Sequence, residues 1–287
     1  MPEAPPDSRH IVDRLLEERI GPLMRSPAWP LLRGPVHWLI GYRPGRKLAD
    51  EVAGMGPEAA VDHVSRLLDL KLDLAGLENV PPAGRLLIIA NHPTGPADGI
   101  AIFDALRPVR RDLHFYANQD TIRLAPALEG TVIGVEWREH MRTREQSRAA
   151  VVRTREVFEQ EHAMFIFPAG RIALRRRGGL VDQPWQRSAL SLARKHRAPV
   201  LPVYLNGPRS PLIQWLGRIA PPVQDVTLFH EFLNTRGSRF RMVIGKPIPP
   251  EALEGEDATE ALKRYVETVL PRDPEAAFTP SGGARPG

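Results

Sequence analysis

An α/β fold, with a mixed but largely parallel central sheet flanked by helices and a helical N-terminal lobe, is predicted by three features of this 287-residue sequence. Short apolar or alternating runs suited to strands recur between longer stretches with helical spacing, the order that builds βαβ units. Leu86-Leu87-Ile88-Ile89-Ala90 is apolar at every position, which suits a strand covered on both faces, and Pro93, Gly95, Pro96 and Gly99 stop it at once. No Gly/Ser-rich linker divides the middle of the chain, so one large core fits the length better than two small ones.

Residues 1–9 begin acidic and proline-rich and are expected to be disordered. Ile11, Leu15, Leu16, Ile20 and Leu23 then recur at helical spacing among charged residues. The next stretch carries Trp29, Trp38, Tyr42 and flanking arginines, a mixture that suits either packing of a helical lobe on the core or contact with a membrane interface. Helical patterns run to about Leu70, which makes 10–70 an N-terminal lobe and a candidate membrane-contact region.

The α/β domain is expected over 71–270. Residues 71–76 alternate like a strand and turn through 77–84 into the Leu86 strand, predicting that these two strands pair. Further strands are predicted at 113–117, 131–135, 162–167, 198–205 and 240–245. Helices are predicted at 100–106, 143–161, 188–196 and 258–270, with an amphipathic turn at Leu212, Ile213, Trp215, Leu216 and Ile219. The Pro-, Gly- and Ala-rich residues 271–287 read as a flexible tail. No internal repeat is visible.

Lys and Arg number 39 against 34 Asp and Glu, a net charge of +5, and the pI is 9.9. That sign suits anionic lipid headgroups, phosphorylated substrates or nucleic acid. The absence of cysteine removes a thiol nucleophile, a disulfide frame and a cysteine zinc site together. No run of eighteen apolar residues predicts a spanning helix, and the first residues lack the basic start and apolar core of a signal peptide. The expectation is a cytoplasmic protein, free or held at a membrane surface.

His92 follows the Leu86 strand, at the edge where open α/β sheets place chemistry. The five residues between His92 and Asp98 include two prolines and a glycine, so the loop can return the carboxylate to the imidazole. Asp98 would then hold one ring nitrogen and leave the other basic, able to deprotonate a hydroxyl. Asp98 also precedes a helix-like run and suits an N-cap, and His92 suits a simple bond to a carbonyl. Phe167-Pro168-Ala169-Gly170-Arg171 ends a second strand in the same way. Gly170 allows close approach of backbone to a ligand, and Arg171 offers a bidentate phosphate clamp or a solvated turn residue.

The segment from Asn91 through His92, Thr94, Gly95 and Asp98 to Gly99, with the 167–171 block and Leu201-Pro202-Val203, resembles the glycerolipid (lysophospholipid) acyltransferase family, most closely its bacterial hemolysin-like branch. The resemblance spans about Gly76 to Pro250. It implies transfer of a fatty acyl group from a thioester to a hydroxyl of a lysophospholipid or related lyso-lipid, as in phospholipid biosynthesis. His92 would be the base and Asp98 its partner, with Asn91, Thr94, Gly95, Gly170 and Arg171 at the substrate. It implies no metal or cofactor, acyl-CoA or acyl-carrier protein as co-substrate, and a peripheral place on the cytoplasmic side of the inner membrane. The usual family spacing is His-x4-Asp and here it is x5, a form of the hemolysin-like branch. Ala169 stands where Glu is common, and His140 where Arg is usual. Arg138 and Arg142 are the candidates for an acceptor phosphate. Arg175-Arg176-Arg177 before Gly178-Gly179 reads as a compact basic loop for donor phosphates, carrier protein or acidic lipid, or as solvated surface. Asp182 and Trp185 read as structural.

A second reading is a non-catalytic lipid- or nucleic-acid-binding protein using the basic surface. The sequence lacks the aromatic stacking platforms of an RNA-binding sheet, so no nucleic-acid partner is expected. Metal-dependent hydrolysis through His92 and Asp98 lacks a recognisable third ligand.

Overall fold

The computed structural model describes residues 9–136, 141–176, 179–208, 210 and 221–280. Four helices come first: α1 (Ile11–Met24), α2 (Trp29–Leu39), α3 (Tyr42–Val52) and α4 (Pro57–Leu68). Among the described residues, seven strands then form one sheet: β1 (Lys71–Ala75), β2 (Leu86–Ala90), β3 (Leu113–Asn118), β4 (Val132–Val135), β5 (Ala163–Ile166), β8 (Val200–Asn206) and β9 (Arg239–Ile244). Their order across the sheet is β1-β9-β8-β2-β5-β3-β4. Helices α5 (Pro96–Leu106), α6 (Gln119–Leu124), α7 (Arg144–Glu159) and α8 (Ser188–His196) provide the connections that parallel neighbours require. All neighbouring pairs are parallel except β8 with β9.

Every residue of β2 is buried, and the pleat divides them between two cores. Leu87 and Ile89 pack with Val157 and Phe158 of α7 and with Ala189, Leu190 and Ala193 of α8. Leu86, Ile88 and Ala90 pack with Ala97, Ala101, Ile102 and Ala105 of α5. The uninterrupted apolar run is the direct consequence of a strand with helices on both faces.

The predicted pairing of β1 with β2 is corrected. β2 already has parallel partners on both sides, β5 and β8, so β1 joins the free edge of β9, with Lys71 opposite Arg239 and Ala75 opposite Val243. Gly76 makes this exit from β1 tight: its φ is +79°, and a Cβ there would lie 2.0 Å from the Ile244 carbonyl oxygen. Asn79 Nδ2 donates to that same carbonyl at 3.0 Å, securing the crossover beneath the sheet edge.

Other elements also differ from expectation. Arg175 and Arg176 lie on β6 (Leu174–Arg176), which pairs antiparallel with β7 (Gly179–Val181), so the basic stretch is a hairpin rather than a loop; Arg177 and Gly178 lie outside the described residues. The amphipathic turn at 212–219 also lies outside them. It is followed by α9 (Pro221–Asn234), a helix not predicted from the sequence although Val223, Val226, Phe229 and Phe232 recur every third residue, and whose Phe229, Phe232 and Leu233 pack with Leu48 and Val52 of α3. The last predicted helix divides into α10 (Ala258–Arg264) and a π-helical turn (Tyr265–Val269). Residues 271–280 do not form a free tail. Ala276 and Phe278 pack against the core, and the Tyr265 hydroxyl donates to the Ala276 carbonyl at 2.8 Å.

Gly76→Ala should lower the unfolding free energy by on the order of 2 kcal/mol, because it adds both φ strain and a backbone clash. Denaturant titration of the purified variant measures this, and an unchanged midpoint contradicts the tight exit from β1.

Candidate active site

β2 and β5 run parallel with Ile89 opposite Ile166, so the chain leaves both strands at one edge of the sheet. His92 emerges just after β2 and Phe167 directly after β5, and their rings stack with centroids 4.1 Å apart and planes 14° apart. The His92 side chain keeps 16% exposure, so its ring reaches solvent. Between β2 and His92, Asn91 is buried: its Nδ2 donates to the Leu205 carbonyl at 2.8 Å, and the Leu205 N–H donates to its Oδ1 at 2.7 Å. This amide continues the β2–β8 ladder one step past the strand. Both ends of the Asn91 amide are thus engaged inside the chain.

The loop after His92 does return Asp98 to the ring, and the cap expectation is corrected. Helix α5 starts at Pro96, a residue already set for the first helical turn, and Gly95 with φ +116° takes the N-cap place. Asp98 is thus the third helical residue, fully buried, and reaches back in the manner of a capping box. Its Oδ2 accepts the N–H groups of Thr94 at 2.9 Å and Gly95 at 3.1 Å, and lies 2.8 Å from His92 Nδ1. An oxygen already accepting two backbone donors faces the ring as an acceptor, which places the hydrogen on Nδ1 and leaves the Nε2 lone pair available. Thr94 and Gly95 contribute to the site through these backbone donors. One carboxylate serves as both helix anchor and ring partner.

Gly170, with φ +61°, closes a turn in which its N–H donates to the Phe167 carbonyl at 2.9 Å. Arg171 is exposed in this turn, and two residues later the Ala173 N–H donates to the His92 carbonyl at 2.8 Å. Of the acceptor candidates, Arg138 lies outside the described residues, as does His140. Arg142 is exposed beyond β4, a strand separated from β2 by β5 and β3.

Two residues matter more here than the sequence indicated. Phe167 read as the end of a buried strand, and only the parallel register brings it over the imidazole. Asp182 is buried, its Oδ1 accepting the backbone N–H of His92 at 3.0 Å and its Oδ2 accepting Trp185 Nε1–H at 2.9 Å. Its one sequence signal is an acid three residues before a tryptophan, in a stretch without helical or strand period. Burial pushes its carboxyl up to about 6, opposed by the hydrogen bonds from His92 and Trp185.

Comparison with known proteins gives the following likenesses. The model of a family described as acyltransferase matches residues 51–273. The lyso-glycine lipid O-acyltransferase of Phocaeicola vulgatus is 25% identical over 209 residues, covering 71% of this chain and 73% of that protein. The protein of the same name from Bacteroides thetaiotaomicron is 23% identical over 209 residues, covering 71% and 75% respectively. The crystal structure of the 1-acyl-sn-glycerophosphate acyltransferase PlsC from Thermotoga maritima aligns with a TM-score of 0.47 at 19% identity, covering 83% of this chain and 89% of that one.

The raised Asp182 carboxyl has a consequence for stability. The folded protein binds this proton more tightly than the unfolded chain, so folding loses stability as pH rises from about 4 to about 6, by up to about 3 kcal/mol. Asp182→Asn lacks the titration. The unfolding free energy of the variant minus that of the parent should rise across this window and level off above it. Denaturant titrations at several pH values measure the difference, and a flat difference contradicts the effect of burial.

Proposed function

The chain belongs to the acyltransferase family, and from that premise we propose that it moves a fatty acyl group from a thioester, acyl-CoA or acyl-carrier protein, to a hydroxyl of a lyso-lipid, with His92 as general base. The observation that carries this reading is the convergence of Thr94 N–H, Gly95 N–H and His92 Nδ1 on one oxygen of Asp98. In the reaction His92 Nε2 takes the hydroxyl proton as the lipid oxygen attacks the thioester carbonyl. Asp98 steadies the imidazolium that forms, and Phe167 faces that cation with its π surface. The tetrahedral adduct expels the thiolate, which recovers the proton from His92. With no cysteine in the chain, no thioester intermediate forms on the protein.

Two relatives bearing the name lyso-glycine lipid O-acyltransferase favour an amino-acid lyso-lipid as acceptor. A peripheral position on the cytoplasmic side of the inner membrane would bring the site to such a lipid. Supporting it, α2 buries none of its residues and exposes Leu31 at 83% and Trp38 at 74%, with exposed Arg33 on the helix and Arg43 beyond it. Among the described residues no helix is long and apolar enough to cross a membrane.

His92→Ala should lower transfer from palmitoyl-CoA to lyso-glycine lipid by at least about 10²-fold while leaving the melting temperature in place. Lysophosphatidic acid in a parallel assay separates the acceptor classes. Full transfer by this variant rules out His92 as the base, whereas no transfer by the parent protein to either acceptor returns it to a binding role. For the membrane contact, the double variant Leu31→Asp and Trp38→Asp should lose most co-sedimentation with anionic phospholipid vesicles; retained co-sedimentation places the contact elsewhere.

A further inference from the structure

The backbone of His92 is gripped on both sides by one small hairpin. Its carbonyl accepts from Ala173, the residue immediately before β6, and its N–H donates to Asp182, the residue immediately after β7. The β6–β7 ladder pairs Leu174 with Val181, so these two feet extend from its first rung, and His92 sits between them. A buried carboxylate costs free energy unless its oxygens are occupied. Asp182 meets that cost with two donors, and its own N–H donates to Glu267 Oε1 at 2.8 Å. Glu267 lies in the π-helical turn, a form that recurs at functional sites, and its Oε2 accepts from Lys263 Nζ at 2.7 Å. A continuous line of hydrogen bonds thus runs from Lys263 through Glu267 and Asp182 to His92.

We propose that Asp182 is a positioning residue for acyl transfer: through the hairpin's grip it fixes the His92 backbone, and with it the direction in which Nε2 points. The proposal rests on His92 being the base. Asp98 and Phe167 restrain the ring, but neither fixes the peptide from which the ring hangs. A displacement of about 1 Å in a reacting group costs on the order of 10²-fold in rate.

Purified parent, His92→Ala, Asp182→Ala, Asp182→Asn and Trp185→Phe would be compared for transfer from palmitoyl-CoA to lyso-glycine lipid and to lysophosphatidic acid, well below each melting temperature. Asp182→Ala should lower kcat by about 10- to 100-fold with KM within about twofold of the parent. Asp182→Asn, whose amide oxygen can still accept from His92, should recover part of that loss. A folded Asp182→Ala with the parent's kcat, or one whose loss lies wholly in KM, overturns the proposal while an inactive His92→Ala leaves the base assignment standing. An active His92→Ala overturns both. Should Asp182→Ala fail to fold, Trp185→Phe decides: it frees one oxygen of Asp182 without touching His92, and a kcat about two- to fivefold lower at unchanged KM supports the grip, whereas an unchanged kcat overturns it.

Discussion

The arrangement depends on a single buried oxygen. Asp98 Oδ2 collects two backbone N–H donors and the imidazole nitrogen, in a side chain with no solvent exposure. A carboxylate withdrawn from water this completely is tolerable only when donors replace the lost solvation, and Thr94 and Gly95, just ahead of α5, supply them to Oδ2. The same donors limit the ring to one tautomer. Helix start and candidate base therefore share one carboxylate.

Around that unit the protein fixes His92 from several independent directions. Phe167 covers one face of the ring because β2 and β5 are parallel neighbours with their ends in register. Asn91 ties the preceding residue to β8, and the feet of the β6–β7 hairpin hold the peptide on either side. These contacts come from segments distant in sequence, so the imidazole is oriented before any substrate arrives. Preorganisation of this kind reduces the reorganisation required at the moment of reaction.

The N-terminal helices have a different balance. Helix α1 is tied to α6 by the bidentate pair of Arg123 with Glu18 and by Arg19 with Asp120, while α3 packs on α9. Helix α2 makes few such commitments: Trp38 meets His230 at 5.9 Å yet remains largely exposed. Within the tryptophan-rich stretch, Trp29 packs with the lobe's apolar cluster and Trp38 faces outward.

What the sequence determined by itself was local. An apolar run cut short by prolines and glycines reads as a buried strand with an abrupt end, and the five residues between His92 and Asp98 suffice to bring the carboxylate back to the ring. The helices of the lobe were legible because their apolar spacing follows the helical period. Tertiary structure decided whatever depended on competition for neighbours. β1 could not pair with β2 once β5 and β8 had taken both of its edges. Asn91 became a strut because β8 lies beside it, and Asp182 reached His92 only through a hairpin that its basic composition had disguised as a loop. Local propensity acts over a few residues, whereas edge occupancy and hydrogen-bond saturation are properties of the assembled sheet, and no short stretch of sequence contains them.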